Sequence, residues 1–334
     1  MKLSVLVTTY NSECYIAETL DSIFSQITNF EYEVIVGDDG STDNTVDIVE
    51  AYKKIYGSER LKYYIMERKK GEKYNKIQRA SKNRLNVLKE ANGEFITFLD
   101  GDDVYCDELK LQKQVDILEK EENRDCIACA HNCIVSWNKD NEKIMNAYTK
   151  DFKLNGKKIW RYGIYFFCGS IMMRNICNSE LYDEINCDFF DDNLITFYLL
   201  SKGEIYYLAD VMVKYRQHDN SLWNSMSEEE KNIEDLIEYD LEKKINTQFK
   251  IASEVRHMRH FNYFWKNRYC LTESLIEKYI VVMKKNNFEN ALKWTNYSKL
   301  NIKERTRQII FLNKCRILFI YTKICKRIEM HKYL

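Results

Sequence analysis

Apolar runs rich in β-branched and aromatic residues recur through the first part of the chain: LSVLVTT (3–9), YEVIVGD (32–38), LKYYIME (61–67) and EFITFLD (94–100). Between them, apolar positions fall at helical spacing, as with Ile16, Leu20, Ile23, Phe24 and Ile27. The switch from one period to the other predicts βαβαβαβ, and therefore an α/β fold with a mainly parallel sheet covered by helices on both faces. In such sheets ligands bind beyond the carboxyl ends of the strands, so the polar loops at those ends are where chemistry is expected.

Further along, the pattern predicts a helix near 107–120, β-like runs CIACAHNCIVSW (126–137) and GSIMMR (169–174), and a helix beginning near Asp192 that stops at Gly203. EIYYLADVMVKYRQH (204–218) follows, and from Ser227 the pattern is helical to the end. The domains read as 1–225 and a helical C-terminal region, 226–334.

Composition adds limits. With 51 basic and 51 acidic residues among 334, no net charge favours nucleic acid as a partner. The balance is uneven: from Asn301 to Leu334 there are nine Lys/Arg and two Glu, a surplus of seven positive charges. Eleven scattered cysteines without paired spacing predict a reducing, cytoplasmic compartment. No window is apolar enough to span a bilayer. With no proline anywhere, domain boundaries carry no punctuation.

Three strand-end loops carry candidate chemistry. TTYNSE (8–13) has no glycine, which leaves a dinucleotide fingerprint or a P-loop unsupported. GDDGSTDNT (37–45) contains a turn glycine, Gly40, and several helix-capping residues, alongside two acids able to accept hydrogen bonds from a base or a ribose. In FITFLDGDDVY (95–105), Asp100, Asp102 and Asp103 crowd around one glycine. Three neighbouring carboxylates repel one another unless water or a cation offsets them, and the spacing suits Mn²⁺ or Mg²⁺ bridging to a diphosphate.

Taken together, VLVTTYNSECYIAETLDSIFSQ, YEVIVGDDGSTDNT and GEFITFLDGDD resemble the nucleotide-sugar-binding domain of family 2 glycosyltransferases with the GT-A (Rossmann-like) fold. The resemblance is specific over residues 3–118 and weaker to about 225. It implies that Thr8, Thr9 and Tyr10 border the nucleotide, that Asp39 recognises the base, and that Asp100 and Asp102 contact ribose and metal diphosphate. Lys82 and Asn83 stand where many relatives have Ala-Arg-Asn near the diphosphate, with Lys in place of the usual Arg. Asp191 and Asp192 match the family's acidic motif, with Asp192 as general base and Asp191 its neighbour. His218, in YRQHDNSLW, matches an element that closes over the diphosphate, and so joins Asp102 as a candidate metal ligand. CGSIMMR (168–174) matches a segment near the acceptor site, and Trp160 and Tyr162 upstream are candidate sugar-stacking rings.

The activity this implies is inverting, metal-dependent transfer of a sugar, most simply from a UDP-sugar, to a hydroxyl of a glycan or lipid-linked acceptor in surface polysaccharide synthesis. A non-catalytic nucleotide-sugar-binding protein and a sugar-phosphate nucleotidyltransferase are the alternatives. A zinc site at Cys126, Cys129, His131 and Cys133 is disfavoured, because strand alternation puts Cys126 and Cys129 on opposite faces. The segment 309–329 places Arg316, Lys323, Lys326 and Arg327 on one helical arc and Ile317, Ile320, Ile324 and Ile328 on another. Peripheral contact with anionic lipid at the cytoplasmic face of the membrane, or packing against protein, including a second subunit, are both compatible with it.

Overall fold

The computed structural model describes residues 1–69, 71, 75–138, 140–156, 166–175, 190–219, 221–231 and 233, and residues 302, 306, 310, 317 and 320 in the C-terminal region. It divides into two compact units, one of residues 1–155, 164–218 and 333–334 and the other of residues 156–163 and 219–332.

The first unit holds the sheet. β1 (Leu3–Thr9), β2 (Tyr32–Asp38), β3 (Leu61–Ile65) and β4 (Phe95–Asp100) are separated by α1 (Ile16–Phe24), α2 (Thr45–Tyr56) and α3 (Lys76–Lys89). β5 (Val104–Tyr105), α4 (Lys110–Glu119), β6 (Cys126–Asn138), β7 (Asn141–Ile144), β8 (Phe152–Leu154), β9 (Ile171–Arg174), α5 (Asp192–Lys202) and β10 (Glu204–Arg216) follow. The sheet order is β3-β2-β1-β4-β9-β6-β10-β5, with β7 beside β6 and β8 beside β10.

β1 and β2 are buried almost throughout, as expected of parallel strands covered on both faces. α1 lays Ile16, Leu20 and Ile23 into the core, and α3 starts at Asn75, whose Oδ1 accepts from the N–H groups of Ile77 and Gln78. The expected parallel arrangement holds for β3-β2-β1-β4 and for the β6/β10 pair. It fails where β9 runs antiparallel to both β4 and β6, and at the antiparallel pairs β5/β10, β8/β10 and β7/β6.

Register is what positions the loops. Thr8 lies opposite Gly37 on one side and Asp100 on the other, and Thr9 opposite Asp38. The chain steps outward from β1 to β2 and β3, then returns through α3 to β4 on the other side of β1. This reversal opens a crevice at the carboxyl end of β1.

In the second unit, Ser227 and Glu230 form a capping box: the Glu230 N–H donates to Ser227 Oγ at 3.2 Å, and the Ser227 N–H donates to Glu230 Oε2 at 3.0 Å.

Candidate active site

The loops after β1 and β2 are laced together. Asn11 has φ 49°, a left-handed conformation that asparagine tolerates better than most residues. Its Oδ1 accepts from the Thr42 N–H and its own N–H donates to Ser41 Oγ, both at 2.8 Å. The two adjacent acids then take different parts. Asp38 is buried and shapes the turn, accepting from the Ser41 N–H at 2.7 Å and from Ser41 Oγ at 2.5 Å. Burial raises its pKa, against the pull of those hydrogen bonds.

Asp39, only 6% exposed, donates its N–H to the Thr9 carbonyl at 2.9 Å and places its carboxylate between two guanidinium groups. Arg79 Nε donates to Oδ1 at 2.5 Å, and Arg68 Nη2 donates to Oδ2. Arg68 also lies 4.0 Å over the ring of Tyr10, which is 43% exposed at the rim.

At the end of β4, the Asp103 N–H donates to the Asp100 carbonyl at 3.0 Å and closes a turn. Gly101 is required there: a Cβ would lie 2.7 Å from Thr9 Oγ1 and 2.8 Å from Thr9 Cβ. The three crowded acids are then separated. Asp100 accepts from Thr8 Oγ1 at 2.7 Å and from Arg84 Nη2 at 3.1 and 2.9 Å. Asp102 Oδ2 lies 2.9 Å from His218 Nε2. Asp103 is fully buried, with Oδ1 accepting from the Arg216 N–H at 2.7 Å and Oδ2 unpartnered among the described residues. Burial, reinforced by the charges of Asp102 and Asp100, pushes its pKa well above the usual carboxylate value, which favours its neutral form. The crowding evident in the sequence is thus eased by the Arg84 guanidinium at Asp100, the His218 imidazole at Asp102 and the withdrawal of Asp103 into the core.

The arm carrying His218 is held at several points. Arg216 Nη1 donates to the Asp102 carbonyl at 3.3 Å, its Nη2 meets Glu18 at 2.5 Å, and the His218 ring stacks on Tyr15 at 4.9 Å. The Gln217 N–H donates to the Ser136 carbonyl at 2.8 Å, tying the arm to the end of β6.

The acidic pair before α5 also divides. Asp191 is the helix N-cap, its Oδ1 accepting from the Leu194 N–H at 2.9 Å. Asp192 stands in the first turn with Oδ1 3.4 Å from Arg84 Nη1. Arg84 therefore touches acids from two separate elements. Burial would lower its pKa, but the charges of Asp100 and Asp192 outweigh that and hold the guanidinium well above its ordinary value.

On α3, Lys82 is exposed, whereas Asn83 is buried and donates to the Gly37 carbonyl at 2.7 Å, fastening the helix to β2. Sequence reasoning missed Arg68, Arg79 and Arg84. A signal existed for one of them, since Arg79, Asn83 and Val87 follow i, i+4, i+8, and both Asn83 and Val87 contact the space over Gly37.

Among the described residues no group of three or more His, Cys, Asp or Glu side chains is placed to hold a metal ion. Cys126, Cys129 and Cys133 are buried, and His131 Nδ1 lies 2.6 Å from the Asn132 carbonyl. Trp160, Tyr162 and most of 309–329 lie outside the described residues.

The family model for glycosyl transferase family 2 matches residues 4–179. An uncharacterized protein of Mycobacterium tuberculosis is 29% identical over 235 residues, covering 67% of this chain and 61% of that protein's length. A GalNAc(5)-diNAcBac-PP-undecaprenol beta-1,3-glucosyltransferase of Campylobacter jejuni is 27% identical over 219 residues, covering 64% of each. The poly(ribitol-phosphate) beta-N-acetylglucosaminyltransferase TarS of Staphylococcus aureus is 44% identical over 104 residues, covering 31% of this chain and 16% of that one. The structure of TarS residues 1–349 in complex with UDP-GlcNAc superposes with a TM-score of 0.63 at 20% identity, covering 100% of this chain and 89% of that one, which establishes a shared fold. With the family model matched over more than half its length, and the crevice and the acid-bearing loops that its motifs predict in place, the chain belongs to glycosyl transferase family 2.

Proposed function

We propose that the protein is an inverting, metal-dependent glycosyltransferase that moves a sugar from a nucleotide diphosphate, in the first instance a UDP-sugar, to a hydroxyl of a glycan or lipid-linked acceptor in bacterial surface polysaccharide synthesis. The observation carrying this reading is the gathering of four acids along one crevice: Asp39 after β2 and Asp100 and Asp102 at the end of β4, the two strands that flank β1, and Asp192 joined to Asp100 through Arg84.

Asp39 is the acceptor for the N–H edge of the base. Two arginines orient its carboxylate, which retains lone-pair sites for a ligand. Asp100, steadied by Thr8 and Arg84, faces the ribose hydroxyls. Asp102 and His218 are the pair that would hold a cation. Both are partly exposed, they approach within 2.9 Å, and an oxygen and an imidazole nitrogen suit Mn²⁺, with Mg²⁺ the alternative. Two protein ligands are enough where diphosphate oxygens complete the shell. Held by these two side chains, a divalent cation would supply positive charge against that of the departing diphosphate. Asp192 takes the proton of the acceptor hydroxyl as its oxygen attacks the anomeric carbon, a role worth about 10²–10⁴-fold in rate. One displacement inverts the anomeric configuration, and no protein nucleophile is needed.

The acceptor side has a second support. Ile302, Ile310, Ile317 and Ile320 are helical and exposed, in a region whose sequence is strongly basic, which favours contact with anionic lipid. Co-sedimentation with phosphatidylglycerol vesicles tests this; retention in the supernatant, or a dimer in solution, favours protein packing instead.

The test of the activity is nucleotide release from a panel of UDP-, GDP- and dTDP-sugars with Mn²⁺ or Mg²⁺, with and without chelator. Turnover that the chelator abolishes is expected. Binding without turnover of any donor supports the non-catalytic reading, and chelator-insensitive turnover removes the metal role of Asp102 and His218.

A further inference from the structure

Arg84 is nearly buried and comes from the middle of α3, a helix pinned to β2 by the neighbouring Asn83. A buried guanidinium is tolerated only where anions and acceptors use its donors. Here the donors are divided: Nη2 goes to both oxygens of Asp100, while Nη1 goes to Asp192 Oδ1 and to the Phe190 carbonyl, each at 3.4 Å. One turn earlier on the same helix, Ser81 Oγ accepts from the Phe190 N–H at 2.9 Å. Phe190 in turn packs edge-on against Phe98 of β4, with ring centroids 5.9 Å apart. Ser81 and Arg84, at i and i+3, thus grip the backbone just before the Asp191-Asp192 pair from one face of α3.

We propose that Arg84 is a positioning residue that ties the donor-side acid, Asp100, to the proton-accepting acid, Asp192, and aims the latter at the acceptor. The inference rests on the transferase reading given above. The planar fork matters because it serves two carboxylates at once in fixed geometry, which a lysine cannot reproduce. Its charge matters as well. Among the described residues, the titratable groups that bear on Asp192 besides Arg84 include Asp100 from β4, Cys168 from the turn before β9, Tyr215 from β10, Cys133 from β6, and Asp191 beside it. Burial raises the pKa of the two thiols and the phenol, so they are neutral, and both neighbouring aspartates bring like charge. Arg84 sets a positive charge against Asp192, and that charge favours the ionised form a general base must start from.

The experiment compares wild type, Arg84→Gln and Arg84→Lys. It measures UDP release from UDP-GlcNAc, with water as acceptor, at saturating donor and Mn²⁺ across pH, alongside UDP binding by calorimetry and thermal melts. In Arg84→Gln, kcat is expected to fall about 10²-fold and the acid limb of kcat to move upward by about one pH unit, while UDP affinity falls by no more than about tenfold through the lost support of Asp100. Arg84→Lys should return the acid limb toward wild type while kcat stays about tenfold low, because the charge is kept and the fork is lost. If Arg84→Gln lowers kcat without moving the acid limb, or leaves both unchanged, the inference is overturned and the transferase reading stands. If both variants lose the melting transition and UDP binding, Arg84 belongs to the fold rather than the reaction, which also overturns it. A wild type that turns over no donor removes both.

Discussion

His218 Nε2 lies 2.9 Å from Asp102 Oδ2, although 116 residues separate them in the chain. The contact joins the end of β10 to the turn after β4 and puts an imidazole and a carboxylate at one point on the crevice. If this pair holds the cation, His218→Ala should raise the Mn²⁺ concentration needed for half-maximal turnover by about tenfold or more, and Asp102→Asn should cost more. Metal titration of UDP release measures this, and an unchanged Mn²⁺ requirement in His218→Ala would remove the histidine from the site.

Asp39 offers a separate test because its neighbours already commit it to hydrogen bonding. Asp39→Asn keeps the shape but removes the charge facing Arg68 and Arg79. Donor affinity is expected to fall about tenfold while kcat at saturating donor changes by less than threefold, the pattern of a binding group that does not act in the transition state. A large loss of kcat with unchanged UDP affinity would argue against base recognition here.

Asp103 should behave as a structural neutral acid despite its place in the motif. Asp103→Asn keeps an oxygen for the Arg216 N–H and no longer opposes ionisation by burial, so its thermal stability at pH 7 should match or exceed wild type. Asp103→Ala leaves that buried N–H without its acceptor and should lose about 1–3 kcal/mol. Equal destabilisation by both substitutions, read from urea melts, would show that the side chain is ionised.

Lys110 gives a pH dependence with a defined sign. It is fully buried at the start of α4, bonded to Gln114 Oε1 at 2.9 Å, and burial pushes its pKa down to about 7. The unfolded lysine holds its proton up to about pH 10.4, so between pH 7 and that value the unfolded state binds more protons and rising pH stabilises the fold. Lys110→Met lacks this dependence. Its stability advantage over wild type should be largest at pH 7 or below and shrink by up to about 1.4 kcal/mol per unit as pH rises toward 10. A gap that stays constant from pH 6.5 to 9.5 would show that Lys110 remains charged in the fold.

Much of this organisation was legible in the sequence. β1, β2 and β4 are short, strongly β-prone runs bounded by polar loops, and the crevice follows from their order. Other elements left weaker traces. β7 is exposed throughout and has no apolar alternation to detect, and β5 is only two residues long. β9 matched a β-like run, but its antiparallel direction depends on how the chain approaches it. Within the site, the motifs and the resemblance they carry gave Asp39, Asp100, Asp102 and Asp192 distinct expected roles, but not the side chains each acid meets. Asp38 differs from Asp39, and Asp191 from Asp192, in partner, and Asp103 differs from its neighbours in burial as well, and neither property is encoded locally. Arg68, Arg79 and Arg84 reach their acids across 16 to 108 residues of sequence, through long side chains that helical spacing alone does not aim.

The most direct measurement is UDP release and UDP binding by Asp192→Asn beside wild type. The expected result is turnover lowered by about 10²–10⁴-fold with UDP affinity within about threefold of wild type, because the proton acceptor is lost and the donor pocket is kept. Turnover equal to wild type would contradict Asp192 as the general base and, with it, the mechanism proposed for the crevice.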